Sequence, residues 1–215
     1  MGTAALIRRD FPQAIEDLRK ALIANETNLD ARNNLGLAYW EMGQKAMARA
    51  EFKRVLEQNP KYSDAYVNLG AADLSDGRLT EARAYFEKAL QNMEYKTRHR
   101  ALTNLAQVAL RENNLDEARR ILYQSIQANP EFCMSHFLLG TVYMRDHNSK
   151  AAAGEFAKSI RSTCAGNVEG HYQLGIAYLA AKQYDKARAE FALLIDQFPQ
   201  TVQAQQAADQ LRFVP

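Results

Sequence analysis

The sequence predicts an all-α protein, a single solenoid domain over residues 1–215 with about six helix–turn–helix units and a C-terminal capping helix. The first observation is a pair formed by Leu and a small residue, which recurs at steps of 34, 36, 34 and 35 residues. The second is an apolar pattern of helical period within each unit. The third is a content of 10 Gly and 5 Pro in 215 residues, too few for an all-β chain that turns about every eight to twelve residues.

Three positions define the repeat. The Leu-small pairs are Leu35-Gly36, Leu69-Gly70, Leu105-Ala106, Leu139-Gly140 and Leu174-Gly175. An alanine follows each small residue by twelve positions, at Ala48, Ala82, Ala118, Ala152 and Ala187. A large apolar residue lies four positions further on, at Phe52, Phe86, Leu122, Phe156 and Phe191. Small residues on facing helices allow a close approach, so we expect the two helices of each unit to pack tightly.

The turn signals divide the chain into units. The predicted units are residues 1–28 (incomplete at its start), 29–62, 63–98, 99–132, 133–167 and 168–201, with the cap at 202–212. Pro60 and Pro130 each end a second helix, because Pro disfavours helix in the residue before it. Gly43 and Gly77 are predicted at the turn between helices, where a left-handed backbone favours Gly. The chain begins inside a first helix, so we expect any targeting segment to lie upstream of Met1.

Composition excludes several classes of function. The 27 Lys and Arg residues nearly balance the 25 Asp and Glu residues, for a net charge of +2. This balance gives no electrostatic case for nucleic acid as a partner. No apolar run is long enough to span a membrane, so we expect membrane association only through a lipid anchor upstream of this chain.

No enzyme signature is present in the sequence. It contains no Gly-rich phosphate loop, no H-E-x-x-H and no G-x-S-x-G. His136 and His171 occupy the same position in adjacent units, but a third metal ligand at suitable spacing is missing. We therefore expect both rings to pack between helices, and we expect no cofactor, no metal and no catalytic residue.

Two cysteines leave alternatives open. Cys133 begins the first helix of its unit and Cys164 ends the second. These helices are antiparallel, so the two thiols are predicted within disulfide range. A disulfide would indicate an oxidising compartment such as the periplasm. The alternative is two free buried thiols.

The repeat residues quoted above resemble the tetratricopeptide repeat (TPR), over roughly residues 1–200. The resemblance implies a right-handed TPR superhelix whose first helices line a concave groove that binds a protein. The groove positions carried over from the family are Asn33, Leu37, Trp40, Val67, Ala71, Leu74, Thr103, Gln107, Met134, Phe137, Thr141, Met144, Tyr172 and Ile176. This mostly apolar strip favours a partner site, although neighbouring units or the cap are an alternative occupant. Asn34, Asn68 and Asn104 also recur, and we expect them to form hydrogen bonds that support the helices.

A narrower resemblance lies in the middle of the chain. One set of residues there comprises Ala89-Leu90, Tyr95, Arg100–Ala106, Ala109–Arg111, Asn114 and Glu117-Ala118. This set is similar to the middle region of type IV pilus pilotins of the PilF/PilW/Tgl kind. This resemblance implies a lipoprotein at the periplasmic face of the bacterial outer membrane, which helps secretin subunits to assemble. Free cysteines and the lack of an upstream signal peptide would instead indicate the cytoplasm. A general TPR adaptor for another client, or the TPR arm of a larger enzyme such as a glycosyltransferase, is the alternative.

Overall fold

The computed structural model describes residues 2–215 and is all-helical over that range. It contains thirteen α-helices, one short 3₁₀ helix and no strand among the described residues. The helices are α1 Gly2–Ile7, α2 Phe11–Ala24, α3 Leu29–Glu41, α4 Lys45–Gln58, α5 Ser63–Ser75, α6 Leu79–Gln91, α7 Arg98–Arg111, α8 Leu115–Ala128, α9 Cys133–Arg145, α10 Ser149–Ser159, η1 Ser162–Cys164, α11 Val168–Ala180, α12 Tyr184–Gln197 and α13 Val202–Leu211. The predicted all-α fold class is therefore confirmed.

The chain divides into two compact units, unit 1 (Met1–Val108) and unit 2 (Ala109–Pro215). In unit 1 the helices α1 to α6 form consecutive antiparallel pairs, and in unit 2 the helices α9 to α12 do the same, followed by α13. Each unit has its own buried apolar clusters.

A close contact between Gly and Phe sets the distance between paired helices. The phenylalanines Phe52, Phe86, Phe156 and Phe191 are all buried. A Cβ atom added to Gly70 would lie 2.6 Å from the Phe86 ring, and one added to Gly140 would lie 2.7 Å from the Phe156 ring. Since real Cβ atoms do not approach so closely, only Gly leaves room for the ring at these positions. The predicted tight packing between the helices of a pair is confirmed.

Short left-handed turns connect the helices of each pair. Gly43 and Gly77 have φ angles of +73° and +77°, as predicted for these two glycines. Asn113 and His147 adopt the same left-handed backbone at φ 59° and 56° without being glycine. The next helix begins soon after each turn, and the Asn114 and Asn148 side chains cap α8 and α10 by accepting a backbone N–H.

Candidate protein-binding site

In unit 1, four of the predicted groove residues keep exposed surface, and three of them lie on α3 and α5. Leu37, Trp40 and Ala71, on α3 and α5, are half-buried. The Lys45 Nζ atom lies 5.3 Å from the centre of the Trp40 ring, a distance at which a cation is attracted to an indole face. Trp40 therefore contributes an apolar ring to this surface, and Lys45 contributes a positive charge beside it.

An ion-pair network holds Lys45 in this place. Lys45 Nζ donates to Asp76 Oδ1 at 2.8 Å, and Arg49 Nη2 donates to Asp76 Oδ2 at 2.8 Å. The hydrogen bonds from Lys45 and then Arg49 lower the pKa of Asp76 to about 2. Asp76 consequently stays ionised at neutral pH and continues to position the Lys45 ammonium group.

Four predicted groove residues are buried and offer no surface to a partner. Val67 and Thr103 are each 1% exposed, and Asn33 and Leu74 are also buried. The Asn68 Nδ2 group donates to Asn33 Oδ1 at 2.8 Å, which is the supporting hydrogen bond predicted for the recurring Asn residues. The prediction that these four residues contact a partner is corrected, because their side chains are used in packing and hydrogen bonding within the protein. Gln107 stays half-buried.

In unit 2, α9 provides the most accessible part of the predicted groove. Met134 is 44% exposed, and Phe137, Thr141 and Met144 are half-buried. The centre of the Phe137 ring lies 5.6 Å from that of Phe156, so one side of the ring belongs to the core. The Thr141 hydroxyl donates to the Phe137 carbonyl at 3.1 Å and is less available to a ligand.

The last helix packs beside the final part of the predicted groove. Tyr172 and Ile176 pack against a cluster that includes Ala207 of α13. Gln203, also on α13, donates to Glu169 Oε2 at 3.0 Å. Tyr172 and Ile176 are half-buried, so they keep part of their surface beside α13.

The structure brings the two cysteines together. The Cys133 and Cys164 Cα atoms lie 6.3 Å apart and the side chains are joined as a disulfide, within the separation that a disulfide spans. Cys133 begins α9 and Cys164 ends the short helix η1. The bridge therefore joins the loop before α9 to the segment between α10 and α11.

Comparison with protein families agrees with the repeat geometry. Two tetratricopeptide repeat models match the chain, one at residues 1–46, 33–95 and 137–201 and the other at residues 73–132. The chain belongs to the tetratricopeptide repeat family. TPR proteins are scaffolds that bind protein partners.

Solved structures resemble this TPR protein over nearly its full length. PilF of Pseudomonas aeruginosa has a TM-score of 0.81 at 20% identity, with 97% of this chain and 94% of that chain covered. PilW, described as a widely conserved type IV pilus biogenesis factor, has a TM-score of 0.83 at 21% identity, with coverages of 96% and 94%. YrrB, a TPR protein with an unusual peptide-binding site, has a TM-score of 0.60 at 21% identity, with coverages of 91% and 100%. None of the curated proteins compared by sequence matches the chain.

A second surface of unit 1 was missed by reasoning from the TPR groove. A cleft of about 680 Å³ lies between α2 and α4 over α3, with Ile23, Tyr39 and Met47 in its lining. Ile23 is 85% exposed. The repeat pattern gives no signal for this cleft, since Ile23 and Met47 lie outside the positions that recur.

The histidines pack between helices, as predicted. His136 and His171 are each 6% exposed. Within residues 2–215 there is no cluster of three or more His, Cys, Asp or Glu side chains that could hold a metal ion. Among the described helices, none combines the length and the apolar character that a membrane-spanning segment needs.

Proposed function

We propose that this TPR protein is a pilotin, which binds secretin subunits in the periplasm and helps them to assemble at the outer membrane for type IV pilus biogenesis. The observation that carries the proposal is the extent of the similarity to PilF and PilW. Each comparison covers 94% of the relative and at least 96% of this chain. The likeness thus extends over nearly the whole of both compared chains.

The mechanism is a holding role that needs no chemistry. An apolar segment of the secretin subunit lies against the exposed parts of the first helices and is shielded from water until the ring assembles. The contacts are Leu37 and Trp40 in unit 1, and Met134, Phe137 and Met144 in unit 2. These side chains retain accessible surface, whereas the buried Val67 and Leu74 are excluded from this role.

The cysteine pair supports the periplasmic location. Disulfides persist in oxidising compartments and are rare in the cytosol. We expect the intact mass after alkylation without reductant to show no added groups, because Cys133 and Cys164 are joined. Two added groups on the protein isolated from its native host would contradict both the disulfide and the periplasmic location. A lipid anchor upstream of Met1 completes the proposal and accounts for attachment to the outer membrane.

A pull-down from solubilised envelopes tests the partner. The baits are the parent protein, a Trp40→Ala/Met134→Asp double variant, and a Leu193→Asp control whose side chain is exposed on α12. We expect the parent and the control to enrich the secretin, and the double variant to enrich it about tenfold less, since a carboxylate cannot be buried against an apolar segment. Circular dichroism verifies that all three baits keep their helical content.

Two other results would argue against parts of the proposal. If the double variant retains the secretin at the parent's level, the binding site lies elsewhere on the protein. If the parent enriches a different protein and no secretin, the chain is a general TPR adaptor and the pilotin proposal fails.

A further inference from the structure

One position between paired helices carries a different type of side chain from one TPR repeat to the next, although the backbone geometry repeats. It lies four residues before the small residue of each Leu-small pair, and its partner lies nineteen residues later on the second helix. The first members are Arg32, Tyr66, Leu102, His136 and His171, and the partners are Glu51, Tyr85, Ile121, Glu155 and Glu190. Three of the five pairs thus combine a basic side chain with a glutamate.

In the repeat formed by α3 and α4, which lies in unit 1, this position holds a permanent cation, Arg32. Arg32 Nη1 donates to Glu51 Oε2 at 3.1 Å, and Arg32 Nη2 donates to the Glu26 carbonyl at 3.0 Å. The guanidinium group therefore ties the second helix and the preceding loop to the first helix. Arginine keeps its charge at every pH that the folded protein meets.

In unit 2 the same two acceptors surround an imidazole ring. His136 Nδ1 lies 2.7 Å from Glu155 Oε2, and Nε2 lies 2.8 Å from the Pro130 carbonyl oxygen. His171 repeats the arrangement, with Nδ1 2.5 Å from Glu190 Oε1 and Nε2 3.0 Å from the Ala165 carbonyl oxygen.

While Glu155 is ionised, this geometry places two protons on the His136 ring. A carboxylate and a carbonyl oxygen only accept hydrogen bonds, so both ring nitrogens must donate. A neutral imidazole carries one N–H, and only the imidazolium ion carries two. Loss of one proton would leave either the carboxylate or the loop carbonyl facing a ring nitrogen without hydrogen.

The surroundings of His136 contain charges of both signs. The charged groups that face the ring are Glu155 and Lys158 on α10, Glu131 in the loop before α9, and Arg161 after α10. The element α8 contributes the apolar Ile126 to the same cavity of about 310 Å³. Around His171 the corresponding groups are Glu190 on α12 and the Phe198 ring, whose centre lies 5.8 Å away. The cavity gives protons a route to the buried His136 ring.

We propose that His136, with Glu155 and the Pro130 carbonyl, is a pH-sensitive latch that fastens the loop before α9 to the α9–α10 pair when its ring is doubly protonated. The inference is independent of the proposed function. The latch is confined to unit 2. At the equivalent place in unit 1, Arg32 donates both hydrogen bonds, to Glu51 and to the Glu26 carbonyl, and keeps its charge.

The direction of the pH response follows from the pair. The hydrogen bond to Glu155 raises the pKa of His136 above its ordinary value of 6.5, despite burial. Burial alone would raise the pKa of Glu155, yet the hydrogen bonds from His136 and Lys158 lower it below 4.5. The contribution of His136 is complete below about pH 6.5 and is lost as pH rises through its folded pKa. The contribution of Glu155 is complete above about pH 4.5 and is lost as pH falls through its folded pKa.

The disulfide lies beside the two loop carbonyls that His136 and His171 face. Pro130 is three residues before Cys133, and Ala165 directly follows Cys164. The bridge therefore joins the two segments whose carbonyl oxygens the histidines bind. A loop released by deprotonation stays attached to its neighbour, so we expect the response to be local opening without unfolding of unit 2.

The first test is nuclear magnetic resonance of the ring nitrogens in the oxidised protein at pH 6. We expect long-range nitrogen–proton spectra to show both Nδ1 and Nε2 of His136 protonated, with the exposed His147 as an internal reference. A single protonated nitrogen on His136 at this pH would overturn the proposal, and this readout needs no variant.

The second test is hydrogen exchange resolved by mass spectrometry over residues 129–133, corrected for the intrinsic pH dependence of exchange. We expect the protection factor to fall about tenfold between pH 6 and pH 8.5, the effect of losing one hydrogen bond from a charged donor to the loop carbonyl. The His136→Arg variant copies Arg32 and should keep constant protection, whereas His136→Gln should be unprotected at both pH values. Equal pH dependence in the parent and in His136→Arg would contradict the latch.

Discussion

The Arg32–Glu51 pair in unit 1 and the His136–Glu155 pair in unit 2 occupy the same position of the repeat. Both bury a cation against a glutamate and a loop carbonyl, with 19 residues between the partners. They differ in whether the cation can lose its charge. Arginine makes the unit 1 contact independent of pH, and histidine makes the unit 2 contact depend on protonation.

The difference shows that two repeats can share the geometry of an ion pair while only one of the pairs depends on pH. The Arg32 and Glu51 side chains are 8% and 10% exposed, so removal of Glu51 leaves the Arg32 charge largely buried without its carboxylate. The His136 and Glu155 side chains are 8% and 14% exposed, but the imidazole can become neutral. The two pairs should therefore respond differently to the same substitution.

The largest expected effect is the loss of the glutamate in unit 1. We expect Glu51→Gln to lower the free energy of unfolding by about 3 kcal/mol, the lower end of the range for breaking a buried ion pair, and to do so equally at pH 6 and pH 8.5. Urea unfolding followed by fluorescence measures it in unit 1, because the chain has one Trp, at position 40.

Glu155→Gln is the matched change in unit 2. We expect it to cost more at pH 6, where the pair is fully charged in the parent, than at pH 8.5, where the cost falls to about 1 kcal/mol because His136 is released as a neutral ring. Hydrogen exchange in α9 and α10 measures this difference. A cost in unit 2 that does not change with pH would remove the distinction between the two pairs.

The Gly–Phe contact is the feature on which the two units should agree. Gly70 faces Phe86 in unit 1 and Gly140 faces Phe156 in unit 2, each too closely for a Cβ atom. We expect Gly70→Ala and Gly140→Ala each to lower the free energy of unfolding by about 1–3 kcal/mol, since the ring must move in a packed core. Thermal unfolding by circular dichroism measures both variants.

A second substitution tests the cause of that loss. Ala106 and Leu122 occupy the same two repeat positions as Gly140 and Phe156, which indicates that a smaller partner tolerates the methyl group. Phe156→Leu should therefore restore part of the stability lost in Gly140→Ala. A double variant that is less stable than the sum of the two single changes would refute the steric explanation.

The fold could be predicted from sequence because its determinants are local and repeated. The Gly–Phe contact appears as a fixed spacing along the chain, and the left-handed turns at Gly43 and Gly77 appear as residue type. The His–Glu latch also has a sequence signal, a basic residue followed nineteen positions later by Glu. Arg32 and Glu51 share this spacing with His136 and Glu155, a pattern that the spacing of metal ligands does not include.

The exposed residues of the predicted groove were harder to predict, because the burial of each side chain depends on several neighbouring helices. Val67 and Thr103 lie at positions that the family assigns to the groove, yet they are fully packed. Tyr172 and Ile176 lie at equivalent positions and are half-buried against the cluster that contains Ala207 of α13. A helical period identifies which side of a helix is apolar, but it does not identify which side chains a later helix will cover.

The smallest expected effect concerns the caps of two equivalent second helices. Asn148 caps α10 by accepting from the Ala151 N–H at 3.2 Å, whereas Gln44 at the start of α4 makes no side-chain cap. The two residues have similar backbone angles, φ −96° and ψ 69° for Asn148 against φ −83° and ψ 60° for Gln44. Asparagine therefore fits at position 44 without a change of backbone.

We expect Asn148→Ala to lower the free energy of unfolding of unit 2 by about 1 kcal/mol, and Gln44→Asn to raise that of unit 1 by about 0.5–1 kcal/mol. Trp40 fluorescence in urea follows the unit 1 variant, and hydrogen exchange in α10 follows the unit 2 variant. Gln44→Ala is the control and should leave stability nearly unchanged, because it removes no hydrogen bond. If Gln44→Asn does not raise stability while Asn148→Ala lowers it, packing alone fixes the start of α4 in unit 1. The two units would then differ in how a second helix begins, in addition to the difference between the Arg32–Glu51 and His136–Glu155 pairs.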